Sequence, residues 1–322
     1  MWILSRVAQA MLTAFIMVTL VFAGLHLIGS PVDILIPNDA TPQDRLRIIE
    51  QFGLDRPLWE QFWRFLVGIS QGEFGTSYVF NEPALRLIME RLPATIELAG
   101  AAVILSLIIG LPLGVIAGVK PDHSFSRVIM SGSILAFSLP TFWVGILLIM
   151  VFSVHLNWLP SFGRGQTGEL FGIQWSFMTA DGLKHLILPA LNLSLSNIAM
   201  VLRLTQSGVR ETMGRDYILF AHAKGLRPRR IISVHVMKNI MIPVVTVVGL
   251  DFGSLIAFSI VTESIYAWPG VGKVIIDSIT VLDRPVIVAY LFLVVILFVL
   301  INLVVDIIYR LLDPRIRVGG AE

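Results

Sequence analysis

Long apolar runs recur along the chain and alternate with short polar segments. A helix needs about 20 mostly apolar residues to cross the roughly 30 Å apolar core of a bilayer. Six runs reach that length, at residues 7–28, 94–119, 128–155, 183–206, 242–266 and 285–311. We therefore predict an all-α integral membrane protein with about six transmembrane helices. Arg6 precedes the first run as in a signal peptide, but the run is too long and lacks a small-residue cleavage site, so we expect it to remain as a span.

The composition supports a membrane protein. Hydrophobic residues make up 56% of the chain and charged residues only 14%, with a mean hydropathy of +0.82. Soluble domains carry about 45–50% apolar and about 25% charged residues. The chain has no cysteine, which excludes disulfides, thiolate metal sites and a cysteine nucleophile. No two histidines share a helix face at metal-ligand spacing, so we predict no metal site.

The distribution of basic residues predicts the orientation of the spans. Lys120 and Arg127 flank the turn between the second and third spans, whereas the opposite short loops hold few basic residues. Because cytoplasmic loops are enriched in Lys and Arg, both termini and the segment 207–241 are predicted to be cytoplasmic. Eight basic residues lie between the last turn of the fourth apolar run and the start of the fifth: Arg203, Arg210, Arg215, Lys224, Arg227, Arg229, Arg230 and Lys238.

Residues 29–93 differ from the rest, because they are polar and contain helix start and stop signals. Thr41 is a predicted N-cap and Gly53 a predicted helix end. Pro57 opens a second predicted helix, with aromatic residues on one side at Trp59, Phe62, Trp63 and Phe65. We predict three parts: the N-terminus with the first span (1–28), a small extracytoplasmic helical cap (29–93) and a five-helix core (94–322).

Two features inside the spans concern helix packing. Gly110, Gly114 and Gly118 recur every four residues in the second span, which places three positions without side chains on one helix face. Such spacing allows a neighbouring helix to approach closely. Pro140 lies inside the third span and is predicted to kink it, because proline removes a backbone donor.

The segment 207–241 predicts two short cytoplasmic helices. Ala221 and Ala223 make the first helix slim, Gly225 suits a left-handed turn at its end, and Pro228 can begin the second. A slim basic protrusion is suited to docking in a groove of another protein. Most clusters of Lys and Arg beside a membrane instead lie on anionic lipid. The pattern alone leaves these two interpretations evenly balanced.

This segment resembles the EAA loop of ABC importer permeases. Pro243 follows the glycine by eighteen residues, and His222 stands where many relatives carry Arg. Residues 53–58, 91–98, 268–272 and 306–315 are similar, in the same order, to the B-type permease of dipeptide, oligopeptide, glutathione and nickel importers. The residues that carry the loop resemblance are Asp216, Tyr217, Ala221, Ala223, Lys224, Gly225, Leu226 and Pro243.

The resemblance implies a type I ABC importer permease fold in the bacterial inner membrane, and the EAA-loop residues would couple it to ATPase subunits. It implies no catalysis and no bound cofactor on this chain, since ATP and Mg would bind the ATPases. The implied partners are a second homologous permease (C-type), two ABC ATPases, an extracytoplasmic solute-binding protein and membrane lipid, with no nucleic acid. The implied substrates are di- or oligopeptides or a related small solute.

Two polar helix faces are candidates for the translocation path. Asp251 lies in the fifth run, and an ionisable group at membrane depth usually faces a cavity or a partner. Alternatively, the hydroxyl residues bond their own helix backbone and Asp251 pairs with a basic group of the partner permease. Glu97 and Glu263 are expected near the outer interface, without a buried role. The predicted path residues are Asp251, Ser254, Phe258 and Thr262 on one face and Asn192 and Ser196, with Ala199 and Arg203, on the other.

Three other interpretations are less well supported. An ATPase-independent transporter or channel predicts inverted repeats and matching broken helices, which the sequence does not display. An intramembrane enzyme would need a Gly-x-Ser-Gly or His-Glu-x-x-His motif, and neither occurs. Residues 270–273 suggest a phosphate-binding loop, but Ala267 replaces its first glycine and Val274 follows the lysine, so we interpret them as an extracytoplasmic turn.

Overall fold

The computed structural model of the chain describes residues 55–312 and, before them, residues 11–13, 15–20, 22–24, 43, 46, 49 and 50. The predicted N-cap Thr41 and helix end Gly53 lie outside the described residues, as do residues 313–315 of the last family-like motif. The chain forms two compact units. One contains residues 1–93 and 269–299, and the other contains residues 94–268 and 300–322.

The helices, numbered along the chain, account for most of the described residues. Within the part of the chain that the structure describes, four helices are long and apolar enough to cross a membrane, over residues 84–119, 180–213, 228–258 and 284–305. The bent pair of helices at 124–138 and 141–155 brings that number to five. A shorter apolar helix at residues 11–24 falls in the predicted first span, which lies only partly within the described residues. The helices are α1 Met11–Gly24, α2 Leu58–Ser70, α3 Ala84–Val119, α4 Ser124–Ser138, α5 Thr141–His155, α6 Ala180–Met213, α7 Asp216–Ala223, α8 Pro228–Phe258, α9 Ile260–Ile265, α10 Val271–Thr280 and α11 Arg284–Leu312.

The smaller unit contains the predicted aromatic helix. α2 follows Pro57 directly, which confirms the predicted start. Phe62 and Phe65 contact Phe22 of α1 at ring centroid distances of 5.1 and 5.5 Å, whereas Trp59 and Trp63 are exposed. The four aromatic residues therefore divide between a packed side and an exposed side of the helix.

The predicted kink at Pro140 is a break between two helices. α4 and α5 meet at an angle of 108°, and Leu139 between them has an extended backbone (φ −79°, ψ 136°). The ring of a proline disfavours the helical conformation of the residue before it, which explains why the helix ends there. The predicted interruption of the third span at Pro140 is therefore confirmed, and it is a sharp break rather than a gentle kink.

Two further boundaries differ from the predicted ones. The second predicted cytoplasmic helix is continuous with the fifth span in α8, which includes a widened π-helical turn over Ile231–Val236. Continuity is favourable because no helix-breaking residue separates Pro228 from the apolar stretch, and Pro243 is tolerated inside the helix. The fifth span instead ends at Phe258, and the short helix α9 follows it.

The loop between α5 and α6 contains a small hairpin that the sequence analysis did not predict. β1 (Gly168–Leu170) pairs antiparallel with β2 (Ile173–Trp175). Its turn residues Phe171 and Gly172 both have positive φ, 55° and 76°, as a two-residue type I′ hairpin turn requires. A bulky residue is disfavoured in that conformation, and Phe171 is also 94% exposed.

Candidate functional site

The glycine repeat lies at the contact between α3 and α6. An added Cβ atom at Gly110 would lie 2.9 Å from a side-chain carbon of α6, and one at Gly114 or Gly118 would lie 2.6 Å from one. These distances are shorter than ordinary carbon contacts of about 3.5–4.0 Å, so only glycine permits this helix separation. The facing residues of α6 repeat at the same interval: Val201, Thr205 and Val209.

The helix α7 ends in the predicted left-handed turn. Gly225 has a φ of 74°, and its N–H donates to the carbonyl of His222 at 2.9 Å. The next N–H, of Leu226, donates to the carbonyl of Ala221 at 3.2 Å. This pair of bonds is the Schellman motif, which needs a residue free to adopt positive φ at the turn. The local part of the prediction is confirmed.

One side of α7 is packed against the ends of α6 and α8. Ile218 and Ala221 are buried there, against Val209, Ile231 and Val236. The opposite side presents large apolar groups, since Tyr217, Leu219 and Phe220 are 46%, 60% and 61% exposed. The helix is thus fixed to the rest of its unit and still offers an apolar surface.

Polar and basic groups surround that surface. The Lys224 ammonium lies 4.6 Å from the centroid of the Phe220 ring, and the Tyr217 hydroxyl accepts a hydrogen bond from Asn239 at 2.6 Å. Asp216 opens the helix and Ala223 is exposed near its end. Pro243 is exposed on α8, one turn beyond Asn239. We call the predicted segment 207–241 the coupling segment below.

The predicted path residues divide into buried and accessible groups. Asn192 and Thr262 are each 1% exposed, and the Asn192 amide donates to the Thr262 hydroxyl at 3.2 Å. The structure therefore places both in the contact between α6 and α9 and on no open face. Ser196 and Ser254 are half-buried and Phe258 is 76% exposed.

Asp251 is half-buried on α8. In the described part of the chain, Asp251 has no ion pair. The Ser259 hydroxyl lies 3.0 Å from the carbonyl of Ile256 in the preceding turn and 2.9 Å from Oε1 of Glu263.

Glu97 is buried, contrary to expectation. Its side chain is 1% exposed and pairs with Arg164 of the loop after α5, with Nη2 at 2.6 Å from Oε2. The other oxygen, Oε1, accepts from the backbone N–H of Ser176 at 2.6 Å and of Phe177 at 3.0 Å. A buried charge is retained when it is paired and fully hydrogen-bonded. This cluster fixes the hairpin loop to α3.

Glu263 is also buried, so the expectation that these carboxylates have no buried role is wrong for both. It is fully buried and accepts from the hydroxyls of Thr95 at 2.7 Å and Ser259 at 2.9 Å. Next to it, the indole N–H of the buried Trp268 donates to the carbonyl of Ala94 at 2.9 Å. The family-like motifs 91–98 and 268–272 therefore meet in space. A carboxylate within an otherwise apolar run was the signal that sequence reasoning undervalued.

The structure defines a polytopic helical membrane protein, with long apolar helices, a close-packed glycine contact and an interhelical turn that has an exposed apolar side. Residues 110–318 match the family described as binding-protein-dependent transport system inner membrane component, and residues 1–99 match the N-terminal part of such components. The chain belongs to this family. It is a permease subunit of a binding-protein-dependent importer, and ATP hydrolysis in this family takes place on separate ATPase subunits.

Individual relatives agree over nearly the whole length. The chain is 38% identical to the di/tripeptide transport system permease protein DppB of Pseudomonas aeruginosa, with 98% of each chain covered. It is 38% identical to the oligopeptide transport system permease protein AppB of Bacillus subtilis, with 90% of each covered. A solved structure of the MetNI methionine ABC transporter, in an inward-facing conformation, has a TM-score of 0.54 at 18% identity. The match covers 70% of this chain and 96% of that one, and it supports the type I importer permease fold.

Proposed function

We propose that the chain is one of two permease subunits of an ATP-driven importer that carries di- or oligopeptides, delivered by a binding protein, across the bacterial inner membrane. The cargo is proposed from the relatives, whose names refer to di/tripeptides, oligopeptides and glutathione. These substrates are all short peptides. The chain itself binds no ATP in this proposal, and ATP and Mg belong to the partner ATPases.

The observation that carries the proposal is the geometry of α7. A helix of eight residues, fixed on one side by Ile218 and Ala221, presents Tyr217 and Phe220 to a partner. We assign this surface to the cleft of an ATPase subunit. A lipid-facing basic segment would instead direct its apolar residues into the bilayer and its Lys and Arg to the headgroups. Here Lys224 lies over the Phe220 ring, so basic and apolar groups share one side.

The proposed orientation puts α7 and both termini in the cytoplasm. Its support is the excess of Lys and Arg in the coupling segment, on the positive-inside rule. In this orientation the hairpin β1–β2 and the buried Glu97 cluster lie at the extracytoplasmic end, where a solute-binding protein would dock. The exposed Phe171 at the hairpin tip then faces that compartment.

A second, homologous permease completes the path in this proposal. Six spans are too few to enclose a peptide-sized path alone. The accessible residues Ser196, Asp251, Ser254 and Phe258 are available to a path between two subunits.

The first experiment is a mild-detergent pull-down of the tagged chain from its native membrane, followed by mass spectrometry. Two ATPases and a second permease are expected. A chain that purifies alone would favour the ATPase-independent transporter or channel.

The coupling role is tested at Gly225. A side chain at φ 74° costs about 1–2 kcal/mol of backbone strain, so Gly225→Leu should displace the turn that orients α7. We expect ATP hydrolysis by the assembled complex to continue while peptide uptake falls. The control is Gly132→Leu, at a helix position where an added Cβ meets nothing within 4 Å. Wild-type uptake per ATP in Gly225→Leu would refute the coupling role.

A further inference from the structure

An open groove separates α3 from α6 in the part of these helices that lies beside the hairpin loop. Ile104 of α3 and Ile187 of α6 line it and are 57% and 44% exposed. Residues with small side chains, Gly100 and Ala190, leave space between the helices. An added Cβ atom at Gly100 would meet nothing within 4 Å. The groove has a volume of about 460 Å³, although the same two helices touch closely further along, at the glycine repeat.

The loop after α5 contributes aromatic side chains to this groove. Trp175 and Phe177 line it, with their ring centroids 5.4 Å apart. Glu97 lines it as well, but both of its carboxylate oxygens are occupied, one by Arg164 and the other by backbone N–H groups. A fully bonded carboxylate requires neither water nor a polar ligand. The groove therefore offers an apolar surface to whatever occupies it.

The dimensions of the groove favour a hydrocarbon chain over a helix. On α3 it extends from Ile96 to Leu105, which is nine residues or about 14 Å along the helix axis. One leaflet of a bilayer has an apolar depth of about 15 Å, half of the roughly 30 Å core. Dividing the volume by the length gives a mean cross-section of about 35 Å², whereas a helix 10–12 Å across occupies about 80–110 Å². A helix of another subunit is thus too wide to enter, and an unbranched chain is not.

A cation without a partner lies beside the groove. Lys184 is exposed near the start of α6, next to Leu183 and three residues before Ile187, both of which line the groove. Within the described residues its ammonium forms no hydrogen bond or ion pair. The nearby Asp181 carboxylate instead accepts from the backbone N–H of Gln166 at 2.8 Å. Lysine at a membrane surface attracts the anionic groups of lipids, so an apolar groove and a phosphate-binding cation stand side by side.

We propose that this groove binds one acyl chain of a phospholipid, whose phosphate lies at Lys184. In the proposed orientation of the chain, the lipid belongs to the outer leaflet. It would complete the packing between α3 and α6 where the two helices leave a cleft. The inference goes beyond the proposed function, because it requires a bilayer and no particular cargo.

The test uses the complete complex of permeases and ATPases, extracted from its membrane and washed in detergent until bulk lipid is removed. Ile187 is replaced by the photoreactive p-benzoylphenylalanine, and the control replaces Ile134, an exposed residue of α4 outside the groove, in the same way. On illumination we expect an adduct with the mass of a phospholipid at position 187 and only background at position 134. A cross-link from position 187 to the second permease, or to another segment of this chain, would show that protein fills the groove and would overturn the inference.

A blocking variant tests whether the groove itself holds the lipid. Gly100→Trp places a large side chain in the open space between α3 and α6 and should reduce the adduct at position 187 to background. The control is Gly132→Trp, at a helix position of α4 that is equally open and outside the groove, and it should leave the adduct unchanged. Undiminished adduct in an assembled Gly100→Trp complex would mean that the lipid is bound elsewhere, and the inference would be wrong.

A charge variant tests the phosphate contact and does not alter the groove. The delipidated complex is titrated with phosphatidylglycerol, and the adduct at position 187 reports the occupancy. Lys184→Gln should raise the concentration for half-occupancy about fivefold, the effect of one lysine near a membrane surface. Diacylglycerol with the same chains lacks the phosphate and should bind as in the wild type. The control Lys273→Gln, which removes an exposed lysine outside the groove, should change neither titration. An unchanged phosphatidylglycerol titration in Lys184→Gln would refute the role of this lysine.

Failure of this inference differs from failure of the proposed function. Absence of the phospholipid adduct in a complex that still imports peptide overturns only the lipid site. Absence of ATP-dependent peptide uptake by the complete wild-type transporter overturns the proposed function and leaves the lipid site to be decided by the adduct alone.

Discussion

Gly114 gives the most direct test of how the transmembrane helices pack. A Cβ atom at this position would lie 2.6 Å from the Cβ of Thr205 and 2.7 Å from the carbonyl oxygen of Leu202. Normal contacts between carbon atoms are about 3.5–4.0 Å, so the neighbour must recede by about 1 Å. The Leu202 oxygen belongs to the backbone of α6 and cannot rotate away. Relief therefore requires the helices α3 and α6 to separate.

The magnitude follows from two opposing effects of Gly114→Ala. Overpacking a close contact costs about 1–3 kcal/mol, and replacing a glycine inside a helix with alanine gains about 0.5–1 kcal/mol. Gly100, on the same helix, has nothing within 4 Å of an added Cβ, so Gly100→Ala should show only the gain. The difference between the two variants isolates the packing cost, which we expect to be about 1–3 kcal/mol.

The assay is SDS titration of the purified protein in mixed micelles, with the helical circular dichroism signal reporting the unfolded fraction. Gly114→Ala should unfold at a lower SDS fraction than the wild type, and Gly100→Ala at the same or a higher one. Equal stability of the two alanine variants would show that α6 adjusts without cost, and it would refute the close-contact argument at this glycine.

Two further substitutions test the buried polar contacts. Glu97→Gln leaves Arg164 without its countercharge, and breaking a buried pair costs about 3–5 kcal/mol. We expect a lower melting temperature than that of the control Glu90→Gln, which alters an exposed pair. Equal melting temperatures of the two variants would contradict this expectation. Trp268→Phe removes the donor to the Ala94 carbonyl and should cost about 1–3 kcal/mol in the same thermal melt, because the oxygen stays buried without a partner. An unchanged melting temperature would indicate that water replaces the indole N–H.

Periodicity and local turn chemistry predict those parts of the structure that depend on neighbouring residues. The left-handed turn at Gly225 and the helix that starts after Pro57 depend on conformational preferences of one or two residues. The glycine repeat depends on helical spacing alone, and that spacing places Gly114 at the contact with α6. Each of these features can therefore be derived without knowledge of the tertiary fold.

The features that sequence reasoning missed depend on residues far apart in the chain. Glu97 is stabilised by Arg164 and by backbone groups after residue 175, about 70–80 residues away. Nothing local to Glu97 distinguishes a buried, fully bonded carboxylate from one at the membrane surface. The break at Pro140 is intermediate, because the proline is visible in the sequence while the angle of 108° depends on how α4 and α5 each pack against α6.

The two ends of the larger unit are held by different kinds of interaction, and the difference bears on transport. At one end, the carboxylates of Glu97 and Glu263 accept directional hydrogen bonds that fix the loop and α9 in one arrangement. At the other end, the buried contacts of α7 are the apolar ones of Ile218 and Ala221, which have no directional requirement, and only the exposed Tyr217 hydroxyl accepts a hydrogen bond from Asn239. Apolar contacts tolerate small displacements that a buried, fully bonded carboxylate does not. A force applied at α7 would therefore shift the coupling end first, while the bonded end keeps its geometry. The proposed docking of an ATPase at α7 would use this asymmetry.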